Sequence, residues 1–380
     1  MKEIRLQTSR SRALRGHPWA FRNELRPPFP DCAGEGVVLR ADRGRLLGSG
    51  IFNPASEIAW RAYSRAEVPF DRGFLEGAID RAIARRAPEP FRRLVWSEAD
   101  HLPGLVVDQF DDALVVQALT LAMDLRLAEI VEILQDRLKP AVIVLRNDAP
   151  SRTREGLSRE VRIVGNASYS PRWYEIDGIS CFLDLQKGQK TGFYLDQREQ
   201  HARVAEFTPG KRVLDAFCNQ GSFAFHAARA GAEQVLGIDS SEECITAARA
   251  NAAYNGLNAE FVRANVFDWF TSNRDARFDV IILDPPSFAP RKAALAGAMR
   301  GYKELNLRAL RMLDPGGILA TYSCSQHVSR ALFFEMLRDA AADAGRDVRL
   351  IAPTGQPPDH PVALHFPESE YLTGAILEAE

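Results

Sequence analysis

The chain has 380 residues, 46% of them hydrophobic and 26% charged, which is typical of a folded globular protein of two or three domains. Its start lacks an apolar signal region and no apolar run approaches the roughly 18 residues of a membrane span, so a cytoplasmic protein without membrane contact is expected. The five cysteines form no C-x-x-C pair and the seven histidines have no metal-binding spacing, which argues against a disulfide framework and a metal site.

Positive charge is concentrated at the start of the chain, although the net charge is only −2. Residues 1–72 contain 13 Lys and Arg against 8 Asp and Glu, whereas residues 73–186 contain 14 against 18. The basic side chains of the first thirty positions are Lys2, Arg5, Arg10, Arg12, Arg15, Arg22 and Arg26. This local excess predicts a surface that contacts nucleic-acid phosphates.

The first segment, residues 1–72, predicts a small β-rich domain. Short strands separated by Gly and Pro are indicated at 37–42, 46–52 and 58–63, and no long helix fits between them. This pattern is typical of a barrel-like module.

The second segment, residues 73–186, predicts a small α+β connecting domain. Amphipathic helices are indicated near 73–86 and 125–138, and a proline follows each of them. The predicted strands are 104–110, 113–119, 141–148, 161–165 and 179–185.

Strands alternate with helices in the third segment, residues 187–380. The predicted strands are 213–217, 235–239, 259–264, 280–284 and 317–323. The predicted helices are 222–230, 241–255 and 302–313. This alternation indicates an α/β domain whose parallel sheet is covered by helices on both faces.

The turn after the first of these strands is a candidate cofactor site, because ligands of such sheets bind at the carboxyl ends of the strands. Gly221 would let the backbone approach a ligand closely, and Asn219 tolerates a left-handed conformation. Asp215 would accept a hydrogen bond from the ammonium group of the cofactor. Phe217 belongs to the same turn.

Two later strand ends extend this site. Asp239 would bind both ribose hydroxyls, and Ser240 and Ser241 would cap the next helix, with Glu243 completing a capping box from Ser240. An acidic strand end is equally often a helix cap or a solvated tip, so that alternative stays open for Asp239. At the third strand end, Asn265 and Val266 would lie beside an adenine.

The segment D-P-P-S-F predicts a rigid loop that docks a flat base. Pro285 and Pro286 stiffen the backbone and leave Asp284 fixed at the edge of the sheet. Since the G-x-G-x-x-G fingerprint of dinucleotide sites is missing, a nucleoside cofactor is favoured. Loops of the D-P-P type also accompany methylation of base or amide nitrogens. The loop by itself therefore predicts a methyltransferase without specifying the methylated atom.

Cys324 suggests carbon methylation, because it follows a strand that ends near the same sheet edge. C5 of cytosine is a poor nucleophile until a thiolate adds to C6, and Cys324 would supply that thiolate. The alternative is a buried packing cysteine, but Ser323, Ser325 and His327 make the surroundings polar. His327 would act as a base, contact RNA, or be a surface residue.

Several motifs resemble one family, the RlmI-like 23S ribosomal RNA cytosine-5 methyltransferases. They are R-G-H-P-W-A-F at 15–21, G-S-G-I-F-N-P at 48–54, S-E-A-D-H-L-P-G-L-V-V-D at 97–108, L-R-N-D at 145–148, G-Q-K-T-G-F-Y-L-D-Q-R-E at 188–199 and G-Y-K-E-L-N at 301–306. The resemblance runs nearly from end to end. It implies an N-terminal PUA RNA-binding domain (1–72), a central α+β domain (73–186) and a C-terminal class I, Rossmann-like methyltransferase domain (187–380).

The resemblance also implies S-adenosyl-L-methionine as cofactor and residue roles. Cys324 would be the nucleophile and Asp284 would hold the pyrimidine edge. Phe193, Asp196 and Gln197 would border the cofactor pocket, Arg15 would contact RNA and Lys303 would face the substrate. Many RNA cytosine-5 methyltransferases have a second cysteine after the proline of this loop, but here Ser287 follows Pro286, so the proton acceptor at C5 stays unassigned.

The sequence therefore predicts a cytosine-5 methyltransferase that acts on free or partly assembled 23S ribosomal RNA. A base-nitrogen methyltransferase with an inert Cys324, and an RNA-binding assembly factor without turnover, stay open as alternatives. A small-molecule methyltransferase would leave the basic N-terminal segment without a task. The sequence also leaves a homodimer open.

Overall fold

A computed structural model describes residues 1–165, 169–289 and 291–380, which form two compact units. The first unit consists of 1–172, 183–195 and 358–369, and the second of 173–182, 196–357 and 370–380. The boundaries predicted at 72 and 186 stay predictions. None of the helices in the described ranges is long and apolar enough to cross a membrane.

The first unit starts with a five-stranded sheet. Its strands are β1 (Lys2–Arg5), β2 (Trp19–Ala20), β3 (Glu35–Arg40), β4 (Leu46–Phe52) and β5 (Trp60–Ser64). They lie in the order β1-β3-β4-β5-β2, and all pairs are antiparallel except β1 with β3. Strands β3, β4 and β5 match the three predicted strands. Val37, Leu39, Phe52 and Trp60 fill a core whose apolar area excludes water.

A second sheet in this unit packs against helices. The elements are α1 (Arg72–Ala84), β6 (Phe91–Trp96), β7 (Leu105–Phe110), β8 (Ala113–Ala118), α2 (Leu121–Leu125), α3 (Leu127–Leu138), β9 (Val142–Asn147) and β10 (Glu160–Gly165). Their strands lie in the order β10-β9-β8-β7-β6. Asp71 caps α1 by accepting a hydrogen bond from the amide of Phe74 at 2.9 Å. Ile130 and Leu134 of α3 lie one turn apart and share the core with Ile79 of α1.

The second unit has a seven-stranded sheet with helices between the strands. A two-stranded hairpin, β11 (Arg172–Ile176) with β12 (Ile179–Leu183), falls mostly within this unit. The later elements are α4 (Arg198–Ala205), β13 (Arg212–Ala216), α5 (Ser222–Arg229), β14 (Gln234–Asp239), α6 (Glu242–Tyr254), β15 (Glu260–Arg263), α7 (Val266–Ser272), β16 (Phe278–Leu283), α8 (Leu295–Met312), β17 (Leu313–Ser323), α9 (Arg330–Ala344), β18 (Val348–Gly355) and β19 (Thr373–Ala379).

The order of this sheet places the candidate residues at one edge. The strands run β15-β14-β13-β16-β17-β19-β18, and the first five are parallel while β19 is antiparallel to both neighbours. This confirms the predicted α/β class. The chain leaves β13 toward β14 on one side and β16 lies on the other, so a crevice is expected at the carboxyl ends of these two strands.

Candidate active site

The turn between β13 and α5 contains three residues in the left-handed backbone region. They are Phe217 (φ 66°), Asn219 (φ 51°) and Gly221 (φ 93°), which confirms the conformation predicted for Asn219. A Cβ added to Gly221 would lie 2.7 Å from Cζ of Phe225. The glycine is therefore required by its φ angle and by the packing of Phe225, which is a different reason from the predicted approach of a ligand.

Asp215 is a fully buried carboxyl at the end of β13. Its Oδ2 accepts a hydrogen bond from the amide of Ala224 at 3.0 Å, and its Oδ1 has no partner. Burial raises the pKa of Asp215 to about 8, and the charges of Asp284 and Asp239 add to the effect. A buried oxygen without a partner is costly, so this site fits a ligand that brings a cationic donor such as an ammonium group.

Other buried polar groups in the described part of the second unit also lack partners, among them those of Gln197 and Tyr322. Gln197 is 2% exposed, and neither its amide oxygen nor its amide nitrogen makes a hydrogen bond. The hydroxyl of Tyr322 on β17 is likewise unpartnered, and burial, then the charge of Asp284, raises the pKa of this group. The amino-acid end of S-adenosylmethionine, with its ammonium and carboxylate, offers complementary donors and acceptors. The sequence did not single out Tyr322.

Asp239 holds the turn as well as ending β14. Its two carboxylate oxygens accept hydrogen bonds from the amides of Asn219 at 3.0 Å and Ser241 at 2.9 Å. The predicted capping box from Ser240 is wrong, because Ser241 is the N-cap of α6 and accepts from the amide of Cys244 at 3.2 Å. Ser240 is exposed.

Asn265 caps helix α7. Its side-chain oxygen accepts hydrogen bonds from the amides of Phe267 at 2.9 Å and Asp268 at 3.3 Å, while Val266 is buried. The cap uses the amide oxygen, so only the amide nitrogen is available to a ligand. The predicted position of both residues beside an adenine stays a prediction.

The segment before α4 contributes one further contact. Oδ2 of Asp196 accepts a hydrogen bond from the hydroxyl of Tyr371 at 2.7 Å. Phe193 is buried and belongs to the first compact unit. Its predicted part in the cofactor pocket stays a prediction.

Cys324 lies at the D-P-P loop. All five cysteines fall in described ranges, and Cys32, Cys181, Cys218 and Cys244 are buried while Cys324 is half-buried. The Cys324 Sγ is 3.9 Å from the carbonyl oxygen of Pro285. In that loop Asp284 is half-buried, Pro285 is buried and Pro286 is exposed. By contrast, burial raises the pKa of the Cys181 thiol to about 12.

Ser325 joins three elements around this cysteine. Its Oγ is 3.0 Å from Oγ of Ser287 and 2.9 Å from the hydroxyl of Tyr302, and it accepts from the amide of Ala289 at 3.3 Å. Tyr302 is fully buried on α8, and burial raises the pKa of its hydroxyl against the hydrogen bonds of Ser323 and Ser325. Tyr302 belongs to the G-Y-K-E-L-N segment, in which the sequence singled out Lys303 and not Tyr302.

Lys303 has a partner within the second unit. Its Nζ is 2.7 Å from Oδ2 of Asp343 on α9, and this hydrogen bond raises the pKa of the ammonium. Asp343 is next to the last residue of α9, whereas Arg330, the first residue, follows the Cys324 loop. The predicted role of Lys303 toward the substrate stays a prediction. His327 and Arg15 are exposed and keep their predicted RNA roles only as predictions.

In the described part of the chain, no group of three or more His, Cys, Asp or Glu side chains is arranged to hold a metal ion. The polar groups at the strand ends are instead carboxyl, hydroxyl and amide groups suited to hydrogen bonds. They fit an organic cofactor.

Comparison with known proteins identifies two domain families. A family model described as a PUA-like domain matches residues 4–65, and one described as a methyltransferase domain matches residues 207–352. Both matches fall where the sequence predicts the corresponding domains.

Relatives and solved structures resemble the whole chain. A protein named ribosomal RNA large subunit methyltransferase I from Shewanella amazonensis is 40% identical over 98% of both chains, and one of the same name from Aeromonas salmonicida is 37% identical over 96% of both. The structure of a candidate SAM-dependent methyltransferase from Streptococcus mutans covers 100% of both chains with a TM-score of 0.82 and 19% identity. Another candidate methyltransferase, complexed with SAH, has a TM-score of 0.83 and 20% identity.

Proposed function

We propose that this chain, which belongs to the ribosomal RNA large subunit methyltransferase I family, methylates C5 of a cytosine in 23S ribosomal RNA. The observation that carries this proposal is the position of Cys324, a half-buried thiol 3.9 Å from the carbonyl oxygen of Pro285 in the D-P-P loop. A nucleophilic cysteine must be accessible to its substrate, and the four other cysteines are buried. The proposal thus assigns the chemistry to the one thiol that a docked base can reach.

The cofactor is S-adenosyl-L-methionine, which supplies an electrophilic methyl group. The buried Oδ1 of Asp215 would accept a hydrogen bond from its ammonium group. Asp239, held by the amides of Asn219 and Ser241, would accept from the ribose hydroxyls. The carboxyl ends of β13 and β14 are adjacent in the sheet, so one cofactor molecule would span these two carboxyl groups.

Cys324 would activate the base by covalent addition. Its thiolate forms a bond to C6 of cytosine, and the electron pair of the C5–C6 double bond makes C5 nucleophilic enough to take the methyl group. Loss of the C5 proton then restores the double bond and expels the thiolate. Asp284, fixed before two prolines, would accept a hydrogen bond from the exocyclic amino group on the pyrimidine edge. Ser287 occupies the position where many such enzymes have a second cysteine.

The substrate would be free or partly assembled ribosomal RNA. A base must leave its stack to reach Cys324, which costs a few kcal/mol and least in open RNA. The basic N-terminal domain would contact phosphates, so RNA binding is expected to weaken as salt rises. The cytoplasm, where ribosomal RNA is transcribed in bacteria, is the expected location.

A covalent trap tests this mechanism. RNA transcribed with 5-fluorocytidine has no C5 proton to lose, so the protein should remain bonded to it through Cys324 in a complex that survives denaturing electrophoresis. Cys324→Ala should abolish both this complex and the 5-methylcytidine found by nucleoside analysis of normal RNA. Cys32→Ala is the control, because it removes a buried thiol from the first unit.

Two outcomes would overturn the proposal. A methylated base nitrogen formed equally by the native protein and Cys324→Ala would favour the base-nitrogen alternative. Cofactor binding without any methylated RNA, tested on several ribosomal fragments, would favour the assembly-factor alternative.

A further inference from the structure

A cavity of about 240 Å³ lies within the first compact unit. Residues from five segments line it, and three of these segments contribute a histidine: His17 of the R-G-H-P turn, His101 of the S-E-A-D-H-L-P-G segment and His365 near the end of the chain. The first two segments are motifs whose chemistry the proposed reaction does not use. A water molecule occupies roughly 30 Å³, so the cavity admits a polyatomic ligand.

The imidazole groups present hydrogen-bond donors rather than charge. Burial, then Arg85 and His365, lowers the pKa of His101, and burial, then Arg65 and His17, lowers the pKa of His365. Both rings are therefore neutral near pH 7, with one N–H donor each.

His17 is fixed by its neighbours. Its Nδ1 accepts a hydrogen bond from the amide of Trp19 at 3.1 Å, and its Nε2 is 2.9 Å from Oε2 of Glu368. The second oxygen of Glu368 accepts from Arg12 at 2.6 Å. The charge of Glu368 is therefore neutralised by a cation outside the cavity lining.

Two guanidinium groups supply uncompensated positive charge. Arg45 and Arg65 line the cavity, and neither pairs with a carboxylate in residues 1–165, 169–289 and 291–380. Glu98, the acidic side chain of the lining, is already engaged by Arg61 at 3.0 Å and by Nε1 of Trp19 at 2.7 Å. The free charge of the cavity is thus positive.

Gly16 positions one of these groups. It has φ +89°, and a Cβ added to it would lie 3.2 Å from Nη2 of Arg65. The guanidinium therefore lies close to the backbone of the R-G-H-P turn, where an added Cβ would displace it by a few tenths of an ångström. This explains a glycine beside His17.

We propose that this cavity binds a phosphodiester of the RNA, with Arg45 and Arg65 neutralising the phosphate and His101 and His365 donating hydrogen bonds. Guanidinium groups match phosphate oxygens in charge and geometry. The proposal rests on the proposed RNA substrate and adds a binding site to it.

The salt dependence of RNA binding tests the site. Fluorescence anisotropy with a labelled single-stranded RNA oligonucleotide measures Kd over a series of KCl concentrations. Arg65→Gln and Arg45→Gln should each lower the slope of log Kd against log salt by about 0.7, the contribution of one phosphate contact to a single strand. Affinity at low salt should fall about five- to tenfold.

Arg43→Gln is the matched control. Arg43 is exposed, carries the same charge two positions before Arg45 and does not line the cavity. It should leave the slope unchanged. All three side chains are exposed, so the melting temperatures should equal that of the native protein.

Two results would overturn the inference. One is a slope for Arg65→Gln and Arg45→Gln that equals the slope for Arg43→Gln. The other is that Arg65→Gln and Arg45→Gln lose binding of inorganic phosphate, measured by calorimetry, while the slope of log Kd for RNA against log salt stays unchanged. This result would assign the cavity to free phosphate. The 5-fluorocytidine complex at saturating RNA reports on Cys324 separately, so failure of the two proposals is distinguishable.

Discussion

The hydroxyl of Tyr302 lies 2.9 Å from Oγ of Ser325, 23 residues farther along the chain. Through Ser325 it is linked to Ser287, so one buried tyrosine connects helix α8, the D-P-P loop and the loop of Cys324. The relative position of Cys324 and Asp284 therefore depends on a side chain outside both loops.

Removing this hydroxyl should slow turnover without affecting the cofactor. Tyr302→Phe keeps the ring that packs against Phe288 at 4.8 Å and removes one hydrogen bond, which costs about 1 kcal/mol. We expect kcat to fall about tenfold in steady-state assays, with Kd for S-adenosylmethionine unchanged. Tyr254→Phe, on an exposed tyrosine, is the control. Equal kcat for both variants would contradict the positioning role.

Cofactor binding should become tighter as pH rises toward 8. Asp215 has a pKa of about 8 in the free protein, so it is largely protonated at pH 7, whereas an ammonium partner favours the ionised form. Binding thus releases a proton, and the affinity can rise up to tenfold per pH unit between pH 6 and about 8. Above about pH 8 the α-amino group of the cofactor deprotonates and the gain ends.

Calorimetry in buffers of different ionisation enthalpy measures this proton release. Asp215→Asn should abolish both the release and the pH dependence. The same substitution should also remove a pH effect on stability. The carboxyl of Asp215 has a higher pKa in the folded than in the unfolded protein, so the folded protein binds more protons. The contribution of Asp215 to the free energy of unfolding therefore falls as pH rises from about 4 to 8. A pH-independent affinity of the native protein would argue against the assignment of Asp215.

Gly221→Ala should destabilise the protein. Its φ of 93° and the ring of Phe225, 2.7 Å from an added Cβ, both oppose a side chain, at a cost on the order of 1–3 kcal/mol for the backbone alone. Gly256→Ala is the control, because Gly256 also has a positive φ (63°) but has open space around the added Cβ. Urea unfolding should show the larger loss for Gly221→Ala, and similar losses would rule out the contribution of Phe225.

Lys303→Gln should leave RNA turnover within about twofold of the native value. The ammonium of Lys303 pairs with Asp343 at 2.7 Å, and exposed ion pairs contribute little to stability. Asp343→Asn should behave alike. A large rise in KM for RNA in Lys303→Gln alone would restore the substrate role that the sequence suggested.

The parallel sheet of the second unit was predictable because each of its strands is a short apolar run that can be recognised from neighbouring residues alone. The predicted strands at 213–217, 235–239 and 280–284 agree with β13, β14 and β16 to within two residues. Helix α9 was missed although Phe333, Met336, Leu337 and Ala340 have helical spacing. Strand β18 was missed because exposed residues such as Leu350 and Ile351 break the pattern of a buried strand.

The conformation or contact of a site residue was predictable only where it depends on residues that are close in sequence. The left-handed conformation of Asn219 depends on its own side chain, and the sequence indicated it. The partners of Ser325, Lys303 and Asp215 depend on residues 9 to 40 positions away, and the sequence indicated none of them.

The sequence alone determined the family, the α/β class and the residue types of the site, since apolar periodicity and motifs are properties of neighbouring residues. Tertiary structure decided which of those residues meet. The register of β16 against β17 pairs Leu283 with Thr321, and this places the D-P-P loop beside the loop that carries Cys324. Backbone hydrogen bonds between strands whose paired residues are 38 positions apart therefore hold Sγ of Cys324 3.9 Å from the carbonyl oxygen of Pro285, which no local pattern encodes.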